Sequence, residues 1–64
     1  MAKPIGLIVV RSHFEKMKES YGNLKLHLYA QLKEFVEKSG GMDAFDDEAR
    51  RWINDKYDEL LGQK

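Results

Sequence analysis

This 64-residue sequence has no cysteine, a single proline and no long hydrophobic run. Without cysteine, no disulfide can stabilise so small a chain, and the absence fits a reducing compartment. The longest apolar run, Ile5 to Val10, is far shorter than the roughly twenty residues that cross a membrane. It also lacks the flanking residues of a signal peptide. We therefore expect a cytoplasmic protein that has no membrane partner.

Patterns typical of catalysis, cofactor binding and metal binding are also missing. The sequence has no Ser/His/Asp or Cys/His constellation and no phosphate-binding glycine loop. His13 and His27 are widely separated, and neither has a second ligand at the spacing of a zinc site. A chain of this length also has difficulty enclosing a pocket of a few hundred cubic ångströms. We predict a non-catalytic protein with no cofactor, no metal ion and no small-molecule ligand.

Charge is balanced overall but not along the chain. Residues 1–40 carry seven Lys/Arg and four Glu, whereas residues 41–64 carry four Lys/Arg and seven Asp/Glu. A neutral chain has no general attraction to nucleic acid. The asymmetry instead predicts that the two halves attract each other, either within one chain or head-to-tail between chains. Surface ion pairs contribute about 0–1 kcal/mol each, so they would set orientation more than stability.

The most informative pattern is an apolar stripe at helical spacing, formed by Phe14, Met17, Tyr21, Leu24, Leu28, Leu32 and Phe35. It predicts one long helix over residues 13–39, within a segment spanning 12–39. Ser12 and Glu15 have the spacing of a capping box at its start. The stripe stays in phase through Gly22, so a continuous helix is favoured there.

Two alternatives remain at the Gly22-Asn23 pair. The helix can break or kink, with Gly22 as a left-handed cap and Asn23 capping a second helix. In the other alternative, the alternation from Leu24 to Leu28 forms a short strand, although Leu32 and Phe35 continue the helical period.

The segments flanking this helix complete the predicted architecture. Residues 1–11 are expected to form an apolar arm, extended or strand-like, because Ile8-Val9-Val10 is β-branched. Residues 40–43 form a glycine turn, and a last helix spans about 44–61 and ends at Gly62, with Asp43 or Asp46 as its cap. The predicted fold is all-α, an antiparallel helical hairpin that forms a single small domain over residues 1–64.

Apolar residues off the main stripe predict a contact with another protein. Leu26, Tyr29 and Val36 form the edge of a second apolar face, and Ile8 and Val10 could pair with a second copy. Tyr and Trp are enriched in interfaces, and small cores are often supported by oligomerisation. We expect a self-associating interaction or regulatory module, a homodimer or a partner of another protein. Such small chains are common as accessory proteins of phages and other compact genomes.

The alternative function is that of a small DNA- or RNA-binding regulator. A basic strip on the first helix would carry it, formed by Arg11, Lys16, Lys18, Lys25 and Lys33. Interspersed glutamates dilute this strip, so nucleic acid is the less favoured partner. The acidic cluster Asp43, Asp46, Asp47 and Glu48 is typical of a helix start, and contact with a basic partner surface is its functional alternative.

Overall fold

The computed structural model describes residues 3–62 and contains three α-helices. Helix α1 spans Leu7–Tyr21, α2 spans Lys25–Lys38 and α3 spans Asp47–Leu61, with a short 3-10 helix at Met42–Ala44. The predicted all-α class is confirmed. The predicted two-helix hairpin is wrong, because the segment expected to form one long helix forms two packed helices. The described residues thus fold as a three-helix bundle.

The chain turns sharply at Gly22 and ends α1 there. Gly22 has φ 62° and ψ −127°, the geometry of the first central residue of a type II′ turn, and the Leu24 N–H donates to the Tyr21 carbonyl at 3.2 Å. The continuous helix and the short strand at Leu24–Leu28 are therefore both wrong. The break alternative is right about a positive φ at Gly22, but the N-cap of α2 is Leu24 rather than Asn23.

The first helix begins at Leu7, six residues before the predicted start at residue 13. The arm predicted over residues 1–11 is wrong from Leu7 onward, and Ser12 lies inside α1 rather than capping it. Burial explains the difference: Val10 is fully buried in the core, which outweighs the weak β preference of the Ile8-Val9-Val10 run. Of the described arm residues, Ile5 alone forms a β-bridge, pairing in parallel with Phe45. The first two arm residues lie outside the described range.

In the second half of the chain, the glycine turn, the Asp46 cap and the helix end at Gly62 are found where the sequence predicts them. Gly40 and Gly41 follow α2 with φ 113° and 89°, and Asp46 caps α3 by accepting a hydrogen bond from the Ala49 N–H at 2.8 Å. Gly62 ends α3 in the left-handed conformation, φ 73° and ψ 30°. The start of α3 is three residues later than the predicted 44, because residues 42–44 form the 3-10 helix.

The helices run up, down and up around one core. Ring stacking of His13 on Phe35 and of Tyr21 on His27 shows that α1 and α2 are antiparallel. The bridge between Ile5 and Phe45 brings the starts of α1 and α3 together, so the α1–α2 turn and the end of α3 lie at the opposite end. The buried residues are Val10, Phe14, Met17, Leu28, Leu32, Val36, Phe45, Ala49, Ile53 and Leu60.

Candidate functional site

A cleft of about 190 Å³ lies where all three helices meet at the α1–α2 turn. Its apolar wall is formed by Phe14, Leu28 and Leu60, and its rim carries Lys18, Asn23, Lys25, Lys56 and Glu59. We call this site the lysine cleft. The turn at Gly22 creates it, because reversing the chain there places Lys18 of α1 and Lys25 of α2 around one opening. The cleft therefore combines an apolar wall with amines from three helices.

Of the three cleft lysines, Lys56 is the one that contacts both aromatic rings and a carboxylate. Its Nζ lies 5.0 Å from the Trp52 ring centroid and 5.2 Å from that of Phe14, and the two rings are themselves edge-to-face at 5.4 Å. The same Nζ lies 2.8 Å from a Glu59 carboxylate oxygen. Only 23% of the Lys56 side chain is exposed, and its ammonium lies over the two aromatic rings at the cleft rim.

Glu59 experiences the combined field of the three lysines. A hydrogen bond from Lys56 and the charge of Lys56 lower the pKa of Glu59, and the charges of Lys25 and Lys18 act in the same direction. One carboxylate thus faces three ammonium groups, which leaves the rim basic. The start of α2 adds to this polarity, because no side chain caps it and its first turn contains no acidic residue.

Three exposed leucines lie at the same end of the bundle as the lysine cleft. Of the five large apolar side chains that are exposed among residues 3–62, Leu24, Leu26 and Leu61 lie at this end of the bundle. Leu24 sits between the rim residues Asn23 and Lys25, and Leu61 follows Leu60 of the cleft wall. We call the lysine cleft together with Leu24, Leu26 and Leu61 the basic end.

The other two exposed apolar side chains lie at the opposite end. Ile8 is 81% exposed and Val9 is 55% exposed, in the first turn of α1. They line a shallow groove of about 470 Å³ with Gly6, Leu7, Arg11, Asp46 and Glu48. The cluster Asp43, Asp46, Asp47 and Glu48 surrounds the start of α3 here, and Asp47 pairs with Arg50. We call Ile8, Val9, Asp46, Asp47 and Glu48 the acidic end.

The structure separates the residues that the sequence suggested for a protein interface. Ile8 and Leu26 are exposed, at opposite ends of the bundle. Tyr29 is partly buried, because its ring meets that of Tyr57 edge-to-face at 5.3 Å and packs under the Lys33 ammonium. Val10 and Val36 are buried in the core, so their packing partners are within the chain. Of the five, Ile8 and Leu26 are therefore the residues most accessible to a partner.

The structure also separates the residues that the sequence suggested for nucleic-acid contact. Lys18 and Lys25 meet at the lysine cleft, whereas Arg11 lines the grooves beside Ile8 and Lys33 lies against Tyr29. Lys16 is exposed on α1. Lys56, which completes the cleft, was not identified from the sequence. Its position four residues after Trp52 and three before Glu59 was the available signal, since such neighbours share one side of a helix.

Both histidines lie against aromatic rings. The His13 ring stacks on Phe35 at 4.0 Å, and the His27 ring stacks on Tyr21 at 5.7 Å, so both contribute to packing between α1 and α2. Within residues 3–62, no group of three His, Asp or Glu side chains is placed to hold a metal ion.

No helix within residues 3–62 is long and apolar enough to cross a membrane. Comparison with known proteins gave no match: no family model, curated protein or solved structure matched the chain.

Proposed function

We propose that this chain is a non-catalytic protein-interaction module that associates with itself through exposed surfaces at the ends of the three-helix bundle. The single observation that carries the proposal is the basic end, where three exposed leucines lie at the same end of the bundle as a cleft rimmed by Lys18, Lys25 and Lys56. An exposed apolar surface with a polar rim is typical of a protein contact site.

Two physical contributions support this use of the surface. Leu26 is 73% exposed and Leu24 is 57% exposed, and burying a leucine side chain fully contributes about 1.5–3 kcal/mol. The lysines add little net affinity but favour a partner surface of opposite charge and fix its orientation. The preferred partner surface is therefore acidic and apolar together.

The molar mass in solution, measured by sedimentation or light scattering from low to high protein concentration, tests the proposal. We expect the mass to rise above the 7.5 kDa of one chain as the concentration increases towards about 1 mM, because small interfaces are typically weak. The double variant Leu24→Ser/Leu26→Ser is expected to stay near 7.5 kDa. A wild-type mass of 7.5 kDa at every concentration would rule out self-association.

Nucleic-acid binding remains the alternative, supported by the meeting of Lys18, Lys25 and Lys56 at one end. Fluorescence anisotropy with labelled single-stranded and duplex DNA distinguishes it from a protein contact. Phosphate contacts would make the affinity fall steeply with salt, and Lys18→Gln/Lys25→Gln would weaken it. No anisotropy change at low salt would exclude this alternative.

A further inference from the structure

We infer that the acidic end of one molecule binds the basic end of a second, so that the chain assembles head-to-tail; this inference rests on the proposed function. The two ends have matching chemistry. The acidic end presents Ile8 and Val9 beside Asp46 and Glu48, and the basic end has the exposed Leu24 and Leu26 at the same end of the bundle as its lysines. Each end thus carries exposed apolar side chains, and the charges in excess in the groove and in the lysine cleft are opposite in sign.

The charges of the acidic end are available to a partner. Glu48 is exposed and has no ion pair among the described residues, and the Asp47 side chain is 83% exposed although it pairs with Arg50. Arg11 lines the same groove as a single opposing charge, beside the carboxylates of Asp46 and Glu48. The groove therefore retains an excess of negative charge, which is opposite in sign to the excess of lysine over Glu59 in the lysine cleft.

Geometry prevents the two ends of one molecule from meeting. Ile8 lies in the first turn of α1, whereas Lys18 lies in its last turn, and the bundle is 36 Å long. The attraction between the chain's halves that the sequence indicates can therefore act at these ends only between molecules. A contact of about 800 Å² per partner would cover roughly a sixth of the 4821 Å² accessible surface, so two such contacts fit on one molecule.

Electrostatics also selects between the ways of pairing two copies. A symmetric contact between two basic ends would place lysines against lysines, and one between two acidic ends would place carboxylates against carboxylates. Pairing unlike ends avoids both repulsions. Because each molecule keeps one end free after the first contact, a head-to-tail interface continues into a ring or an open chain. We therefore expect assemblies larger than a dimer at high concentration, and smaller ones when salt is raised.

Two variants that each block one end test this directly. Lys25→Gln/Leu26→Ser removes a charge and an apolar side chain from the basic end, and Ile8→Ser/Glu48→Gln does the same at the acidic end. Each variant alone is expected to stay at 7.5 kDa in sedimentation velocity. An equimolar mixture is expected to form a heterodimer of twice that mass, because each partner retains the end that the other has lost.

The variant Ala30→Ser/Lys33→Gln is the control, since it introduces a serine and removes one charge on an exposed part of α2 between the two ends. It should assemble like the wild type, and circular dichroism melting should show that all three variants fold. Assembly of either blocked variant alone, or no heterodimer in the mixture, would overturn the head-to-tail inference while wild-type assembly still supported self-association. A monomeric wild type would instead remove the proposed function itself.

Discussion

Lys56 donates a hydrogen bond to Glu59 across a single turn of α3, with 2.8 Å between Nζ and the carboxylate oxygen. The contact places a half-buried ammonium at the junction of three helices, above the rings of Phe14 and Trp52. The same side chain therefore contacts aromatic rings of the bundle and contributes a charge to the basic end.

Replacing Lys56 by methionine separates the two contributions of this side chain. Lys56→Met keeps an unbranched apolar stem on Trp52 but removes the ammonium, so the pKa of Glu59 should rise towards its ordinary value. Nuclear magnetic resonance titration of the Glu59 carboxyl measures this change. Lys56→Ala also removes the stem and should lower the free energy of unfolding by about 1–2 kcal/mol more than Lys56→Met. Equal stability of the two variants would show that the stem contributes nothing.

Substituting Gly22 tests the turn between α1 and α2. A side chain at φ 62° and ψ −127° is strained even though the space around Gly22 is open, so Gly22→Ala should lower the free energy of unfolding by about 1–3 kcal/mol. Chemical denaturation measures the difference. The control Ser20→Ala, at an exposed site in the last turn of α1, should be neutral or slightly stabilising. A more stable Gly22→Ala protein would favour the continuous helix instead.

Of the acidic residues near the start of α3, Asp46 should stabilise the fold most, because it caps the helix. Asp46→Ala loses the hydrogen bond from the Ala49 N–H, and we expect a loss of about 0.5–2 kcal/mol in the free energy of unfolding. Asp43→Ala removes a carboxylate of the same cluster that is exposed, and it should change stability by less than about 0.5 kcal/mol. Equal losses in the two variants would assign the effect to the charge of the cluster rather than to the cap.

Truncating two leucines of α2 should lower the free energy of unfolding by very different amounts. Leu32 is fully buried, so Leu32→Ala should cost about 2–5 kcal/mol of unfolding free energy. Leu26→Ala should cost less than about 0.5 kcal/mol at concentrations where the chain is monomeric, because Leu26 is mostly exposed. Thermal melts at low protein concentration make the comparison. A large loss for Leu26→Ala under these conditions would give it a role in the fold of the single chain.

Tyr57 should make the free energy of unfolding fall as the pH rises above 10. Burial raises its pKa above the ordinary value of 10.0, and Tyr29 and Glu37 act in the same direction. The folded state therefore favours the neutral phenol, and this contribution is present in full below pH 10 and lost as the pH rises through the raised pKa. Denaturation from pH 8 to about 11 should show a smaller decline for Tyr57→Phe than for the control Tyr21→Phe. Identical declines would contradict this role of Tyr57.

Residues with strong local preferences identified the all-α class and the C-terminal ends of α2 and α3. Gly40, Gly41 and Gly62 end helices, and Asp46 begins one, because these residues satisfy backbone groups locally at helix termini. The start of α1 was missed, since Gly6 caps it without a side-chain hydrogen bond and Ser12-Glu15 imitates a cap within the helix.

The sequence predicted only some of the residues that form the lysine cleft. Lys18 and Lys25 were candidates for a basic strip, but their meeting with Lys56 depends on the chain reversal and on the packing of α3. No spacing rule connects residues 18, 25 and 56, because their proximity is a property of the folded chain alone.

By itself, the sequence determined that the chain is helical and where its second half turns, since periodicity and capping act over a few residues. Its apolar stripe also included the core residues Phe14, Met17, Leu28 and Leu32. Tertiary structure decided whether residues 13–39 form one helix or two. The stripe from Phe14 to Phe35 is in phase with both arrangements, and the turn at Gly22 lets Met17 and Leu28 pack into the same core. That burial, gained only when three helices come together, outweighs the helical hydrogen bonds lost at the turn.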